Sequence, residues 1–258
     1  MQVIILAGGF GTRMLEETDA VPKPMVPIND KPMLWHIMNL YSIQGINDFV
    51  IAVGYKGHVI KRWILDLHEM EGDVYVKIGK QRKHTQNSLG GQPWDISALE
   101  TGLTTQTGGR IKRCMSQIIE DVFMVTYGDG IGNIDLAELL TFHKSHGKVA
   151  TLTAVRPPAR FGGLTLGING EVKEFGEKNQ LDAGWINGGF FVFNRTINDY
   201  LTDDDCSLEF DVLPKLAIEN QLMAYLHNGF WKPMDTLREK NELAELATLK
   251  PPPWLEFN

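Results

Sequence analysis

Gln2-Val3-Ile4-Ile5-Leu6-Ala7-Gly8-Gly9-Phe10-Gly11-Thr12-Arg13, followed by Lys23-Pro24-Met25, is the stretch from which the rest of the chain is read. An apolar run of strand length breaks at Gly8 into a glycine cluster. Glycine amides approach a phosphate closely, and left-handed backbone costs them little. Arg13 and the Pro-flanked Lys23 supply cationic charge just beyond the glycines. A buried strand that feeds such a loop reads as a grip on a nucleoside triphosphate. No Gly-Lys-Ser/Thr follows, so the loop is not a Walker A element. The G-x-G-x-x-G spacing fails as well, which excludes a clean dinucleotide fingerprint.

Outward from that loop, strand and helix signals alternate. Apolar runs at Val3–Ala7, Asp48–Val53, Asp73–Ile78, Val122–Tyr127 and Ala150–Val155 read as strands. Helical spacing covers Pro32–Gln44, Val59–His68, Ile111–Ile119 and Ile134–Gly147. The alternation predicts a Rossmann-like α/β fold: a mixed, mostly parallel sheet flanked by helices, with ligands at the carboxyl ends of the strands. Gly8–Arg13 and Gly128–Gly130 both follow strands and should open on that edge. The second half reads as more β-rich. Leu164–Ile168 and Val172–Phe175 flank Asn169-Gly170 as a hairpin, and Trp185–Phe193 is a further strand. Thr236–Leu249 reads as a helix opened by a Thr236/Glu239 capping box. Gly79–Thr107 is a long polar interruption, a candidate for contact with another subunit. The whole, 1–258, is expected to be a single domain, with 1–150 mainly binding nucleotide, 151–258 mainly the sugar phosphate, and a small β-rich sugar-binding portion within that second half.

Bulk properties exclude several classes. The chain has 258 residues, 43% hydrophobic, with a net charge of −7. An acidic balance argues against general nucleic-acid binding, so phosphate recognition must be local. Cys114 and Cys206 lie far apart without a CxxC pattern, which suggests packing thiols in a reducing compartment. No apolar run approaches membrane-span length, and no basic region precedes the first one; the expectation is a cytoplasmic protein without a membrane partner. His143 and His146 sit three apart but lack further ligands for zinc, and read as packing histidines. Lys56, Lys61 and Arg62 read as a solvated helix face. Trp231 could equally stack on a sugar or fill a buried site.

Further motifs carry a resemblance. The Leu6–Arg13 opening with Val21-Pro22-Lys23-Pro24-Met25 is similar to the signature of the sugar-1-phosphate nucleotidylyltransferase family. Lys31–Met38, Gly54-Tyr55-Lys56-Gly57, Thr107-Gly108-Gly109-Arg110, Tyr127-Gly128-Asp129-Gly130, Phe142–Gly147, Ile186–Val192 and Gly229–Thr236 extend the likeness over nearly the whole chain. They resemble in particular the branch of the family that joins CTP to glucose 1-phosphate, giving CDP-glucose and pyrophosphate.

The resemblance implies roles. Leu6, Ala7, Gly8, Gly9, Phe10, Gly11 and Thr12 would bind the nucleotide, with Thr107, Gly109, Arg110 and Gly128. Arg13 would grip the β- and γ-phosphates, and Lys23 the α-phosphoryl group. Asp129 and Asp235 would hold Mg2+, a hard ion that takes one or two carboxylates plus substrate phosphates. Spacing alone does not pair these aspartates. Glu177, Lys178, Asn187 and Gly188 would bind the sugar phosphate. The family also implies a homo-oligomer such as a hexamer, and a place in lipopolysaccharide or other surface-glycan synthesis. Asn179 stands where the family's Glu-Lys pair usually precedes proline, which removes a φ restraint beside Lys178. Gly162-Gly163-Leu164-Thr165 and Leu208-Glu209-Phe210-Asp211 also depart from the family pattern, and the latter receives no role. UTP, dTTP or GTP, or another hexose 1-phosphate, stay open as substrates. A non-catalytic nucleotide-sugar-binding protein on this fold would be expected to lack the lysine or a carboxylate; here Lys23, Asp129 and Asp235 are all present.

Overall fold

The computed structural model describes residues 1–11, 21–70, 93–157, 162–166, 171–177 and 184–257. In chain order the strands are β1 Gln2–Ala7, β2 Pro27–Ile28, β3 Lys31–Pro32, β4 Asp48–Val53, β5 Asp95–Glu100, β6 Val122–Tyr127, β7 Gly130–Gly132 and β8 Ala150–Val155. Then follow β9 Gly162–Leu166, β10 Val172–Glu177, β11 Ile186–Asn194, β12 Leu222–His227 and β13 Trp231–Pro233. Seven strands form the main sheet in the order β12-β8-β11-β6-β1-β4-β5. Within it β11 runs antiparallel to both β6 and β8, and the other pairs are parallel. The mixed, mostly parallel sheet expected from the sequence is therefore present.

Strand alternation explains why the central runs are apolar without a break. Successive side chains leave a strand on opposite faces. Val3, Ile5 and Ala7 join one core with Phe49, Ile51, Val53 and Met124, under helix Met33–Ser42. Ile4 and Leu6 join the other with Val50, Ala52, Phe123 and Val125, under helix Thr107–Cys114. A strand buried on both faces reads as a near-continuous apolar run, and the buried Gln2 that opens β1 is satisfied by Gln117 O and Ile119 N–H.

Several expectations are corrected. The edge strand next to β4 is β5, Asp95–Glu100, inside the stretch read as a polar interruption. Its residues are half-buried or exposed, so it lacks the apolar run of a central strand. The candidate strand Asp73–Ile78 lies outside the described residues, as does the Asn169-Gly170 turn, although β9 and β10 pair antiparallel as the hairpin requires. The helix read at Ile111–Ile119 starts earlier, at Thr107, and ends at Cys114. Gly108 and Gly109 are poor helix formers, but a Cβ on either would come within 3 Å of the 203–206 backbone. Tertiary packing overrides propensity there. The capping box at Thr236 and Glu239 is present, and its helix spans Leu237–Leu246.

The lesser readings resolve simply. Cys114 and Cys206 are buried free thiols, and burial pushes the Cys114 thiol up to about 12. His143 and His146 each bond Thr151 Oγ1 at 2.8 Å, as packing histidines do. Lys61 and Arg62 pair on the surface with Glu100 and Asp66. Among the described residues no helix is long and apolar enough to cross a membrane.

Candidate active site

The carboxyl edge of the sheet carries a cleft of about 540 Å³. Of the chain segments that line it, three bring the glycine loop and the two aspartates together. After β1 the loop through Gly8, Gly9, Phe10 and Gly11 forms one wall, with Leu6 and Ala7 at its base. After β6 come Tyr127, Gly128 and Asp129, tied to β1 by Gly128 N–H to Leu6 O at 3.0 Å. The third segment brings Asp235. Trp231–Pro233 pairs antiparallel with Gly130–Gly132, and Met234 N–H donates to Asp129 O at 2.8 Å. That short ladder carries Asp235 to Asp129 across 106 residues of sequence. The capping box then fixes the Asp235 backbone, whose N–H donates to Glu239 Oε2 at 2.8 Å.

Lys23 stands between the two aspartates. Its Nζ lies 2.6 Å from Asp129 Oδ2 and 2.6 Å from Asp235 Oδ1. The flanking Pro22 and Pro24 set the tight turn Lys23–Met25 that aims it. Burial works to lower the ammonium pKa, but the charges and hydrogen bonds of Asp129 and Asp235 outweigh it, and the net shift is upward. Lys23 is therefore charged at neutral pH. The arrangement also tests the residues for a metal. Two all-oxygen anionic side chains from separate strand ends converge on one cation, a donor set that suits a hard divalent ion supplemented by phosphate oxygens. Among the described residues there is no cluster of three or more His, Cys, Asp or Glu side chains that could hold an ion instead.

The Thr107–Arg110 motif opens the helix that packs beside the cleft. Thr107 and Arg110 line the cleft, with Thr107 Oγ1 and both terminal nitrogens of Arg110 bonded to protein. Arg110 is buried; Nη1 donates to Thr101 Oγ1 at 2.7 Å and Gly102 O at 2.8 Å, and Nη2 to Gly8 O at 3.0 Å. A Cβ at Gly8 would lie 2.1 Å from Arg110 Nη1, so the glycine is needed for this approach. Arg110 is thus a strut beneath the glycine loop. Gly109 faces 203–206 through its N–H to Cys206 O at 3.0 Å, and is not a wall of the cleft. Charge-assisted bonds to buried carbonyls carry about 1.5–3 kcal/mol each. Arg110→Met should therefore lower unfolding free energy by about 3 kcal/mol, read as a lower urea midpoint. An unchanged midpoint would show that the strut bears no weight.

Asn187 and Gly188 open β11 at the same sheet edge. Asn187 Nδ2 donates to Tyr127 Oη at 3.2 Å, and Trp231 Nε1 donates to Gly188 O at 2.8 Å. The Trp231 indole is thereby half-buried and holds the strand start. Thr12, Arg13 and Lys178 lie outside the described residues, and so does the side chain of Glu177, which ends β10. Sequence reading missed Glu209, which lines the cleft beside Tyr127. The only local cue was an acidic residue in a segment departing from the family pattern.

Comparison with known proteins agrees with this geometry. Residues 2–238 match the Nucleotidyl transferase family. The chain is 45% identical over 255 residues to a glucose-1-phosphate cytidylyltransferase of Salmonella typhimurium strain LT2, covering 98% of each chain. It is 40% identical over 249 residues to a probable glucose-1-phosphate cytidylyltransferase of Bacillus subtilis strain 168, covering 95% of this chain and 96% of that one. The crystal structure of HddC from Yersinia pseudotuberculosis shares the fold, with a TM-score of 0.67 at 24% identity over 95% of this chain and 98% of that one. With its glycine loop and converged lysine and aspartates on the sheet edge, the chain belongs to the nucleotidyl transferase family, alongside the glucose-1-phosphate cytidylyltransferases.

Proposed function

We propose that the chain transfers a cytidylyl group from CTP to α-D-glucose 1-phosphate, releasing pyrophosphate. The observation that carries this is Lys23 held at 2.6 Å from both Asp129 and Asp235 in a cleft walled by the glycine loop. High identity to cytidylyltransferases over nearly the full chain supports the base and the sugar.

The chemistry asks little covalent work of the protein. A phosphate oxygen of the sugar phosphate attacks the α-phosphorus, and the bond to pyrophosphate breaks opposite it. The nucleophile is already ionised at neutral pH, so no general base is needed. The barrier is charge repulsion and alignment. Backbone N–H groups of Gly8, Gly9 and Gly11 would hold the triphosphate, with Thr12 and Arg13 on its outer phosphates. Lys23 would spread charge on the α-phosphoryl group. Asp129 and Asp235 would hold Mg2+, which when bound screens the phosphates and supplies Lewis acidity. Glu177, Lys178, Asn187 and Gly188 would take the sugar phosphate, so that residues 151–258 serve mainly the acceptor and 1–150 the nucleotide.

A cytoplasmic homo-oligomer, such as a hexamer, working in surface-glycan synthesis belongs to the same reading. The test of the reaction is pyrophosphate release from glucose 1-phosphate with each of CTP, UTP, dTTP and GTP, with and without Mg2+. We expect turnover with CTP, dependent on the ion. Faster turnover with UTP or dTTP would replace the cytidylyl assignment, and CTP binding without turnover would revive a non-catalytic role.

A further inference from the structure

Glu209 lines the cleft but has no part in the reading above. It sits in a π-helical turn, Leu208–Val212. Such turns are uncommon and recur at functional sites. Its carboxylate gathers three hydroxyls. Tyr127 Oη donates to Oε1, while Thr107 Oγ1 and Ser207 Oγ donate to Oε2 at 2.5 and 3.1 Å.

An ionised carboxylate only accepts, so each hydroxyl must point its proton at Glu209. Tyr127 then has no proton left to give, and its oxygen can only accept. It accepts from Asn187 Nδ2 at 3.2 Å. The other end of the amide is fixed too, since Asn187 Oδ1 accepts from Gly189 N–H at 2.9 Å. Flipping the amide would set NH2 against N–H and oxygen against oxygen. Burial, with the charge and hydrogen bond of Glu209, raises the Tyr127 phenol pKa, so the phenol keeps its proton.

We propose that Glu209 is a positioning residue for the sugar phosphate, acting through Tyr127 to hold Asn187 in a single amide orientation. The inference rests on the assignment of Asn187 to the sugar side. One Asn187 N–H and one lone pair on its oxygen are not used by these bonds, and they are what the orientation presents to the acceptor.

The test is the KM of each substrate in Tyr127→Phe, Glu209→Gln, Asn187→Ala and the double variant Tyr127→Phe/Asn187→Ala. Tyr127→Phe removes one oxygen and keeps the ring. Glu209→Gln puts an NH2 donor where a hydroxyl donates, and serves if the first variant folds poorly. We expect Asn187→Ala to raise the KM for glucose 1-phosphate about tenfold and the two relay variants several-fold, with the KM for CTP within about twofold. The double variant should be no worse than Asn187→Ala alone, since one chain of bonds is broken in both. If Asn187→Ala raises that KM but the relay variants do not, or if the double variant is additive, the relay is overturned and the Asn187 assignment survives. Parallel rises in both KM values would mark general loosening and also overturn it. No effect of Asn187→Ala would remove the assignment of Asn187 and the relay with it.

Discussion

Asp235→Asn should cut turnover by roughly a hundred- to a thousandfold while leaving the chain folded. The side chains are nearly the same size, so packing survives. The backbone around Asp235 is held by the Gly130–Pro233 pairing and by Glu239 Oε2, neither of which uses the carboxylate. What changes is charge. A hard divalent ion would face one anionic side chain in place of two, and a neutral amide is a poor substitute. The amide oxygen can still accept from the Lys23 ammonium, now 2.6 Å from Asp235 Oδ1, but without the charge that strengthens that bond. Two measurements check this: steady-state kcat with excess Mg2+, and Mn2+ binding followed by its own spectroscopic signal, which needs no turnover. Wild-type activity together with wild-type Mn2+ binding would remove Asp235 from the cation site.

Lys23→Ala should depress kcat by roughly a hundredfold and change the KM for CTP little. Lys23 lies in the cleft as a cation beside two carboxylates, within reach of charge that builds during phosphoryl transfer. A contact that strengthens only in the transition state appears in kcat; one equally strong in the ground state appears in KM. A loss confined to KM would therefore contradict this role. The substitution has a second consequence. Asp129 and Asp235 now share one ammonium; without it they face each other as like charges. Added divalent cation should raise the melting temperature of Lys23→Ala more than that of the unaltered chain, because binding relieves a repulsion that Lys23 otherwise cancels. Equal shifts in the two proteins would argue against a shared cation position.

The central strands were legible at their observed bounds. Asp48–Val53, Val122–Tyr127 and Ala150–Val155 are almost wholly buried, and such burial leaves runs dominated by apolar residues, with buried Thr126, Thr151 and Thr153 among them. The edges were less so. β5 pairs with one neighbour, and its half-buried run is bounded by exposed Asp95 and Glu100; β12, also at an edge, is an apolar run that the reading passed over. The glycine loop, Lys23 and both aspartates could be singled out by motif. Arg110 could be singled out too, but its burial under Gly8 could not, because an arginine that caps carbonyls and one that grips phosphate read alike. Glu209 gave almost no signal, since its partners Thr107, Tyr127 and Asn187 are spread along the chain.

By itself the sequence determined the alternation of strands and helices, the edge on which a ligand sits, and the residue types able to meet phosphate and a hard cation. Those are local properties: periodicity, glycine clustering, and the charge on a side chain. Tertiary structure alone decided that Asp129 and Asp235 share one ammonium, that Arg110 serves the loop from beneath, and that Glu209 orders a row of hydroxyls. Each of these is a contact between segments far apart in sequence, fixed by strand pairing and helix packing, and no local pattern encodes a distance of that kind.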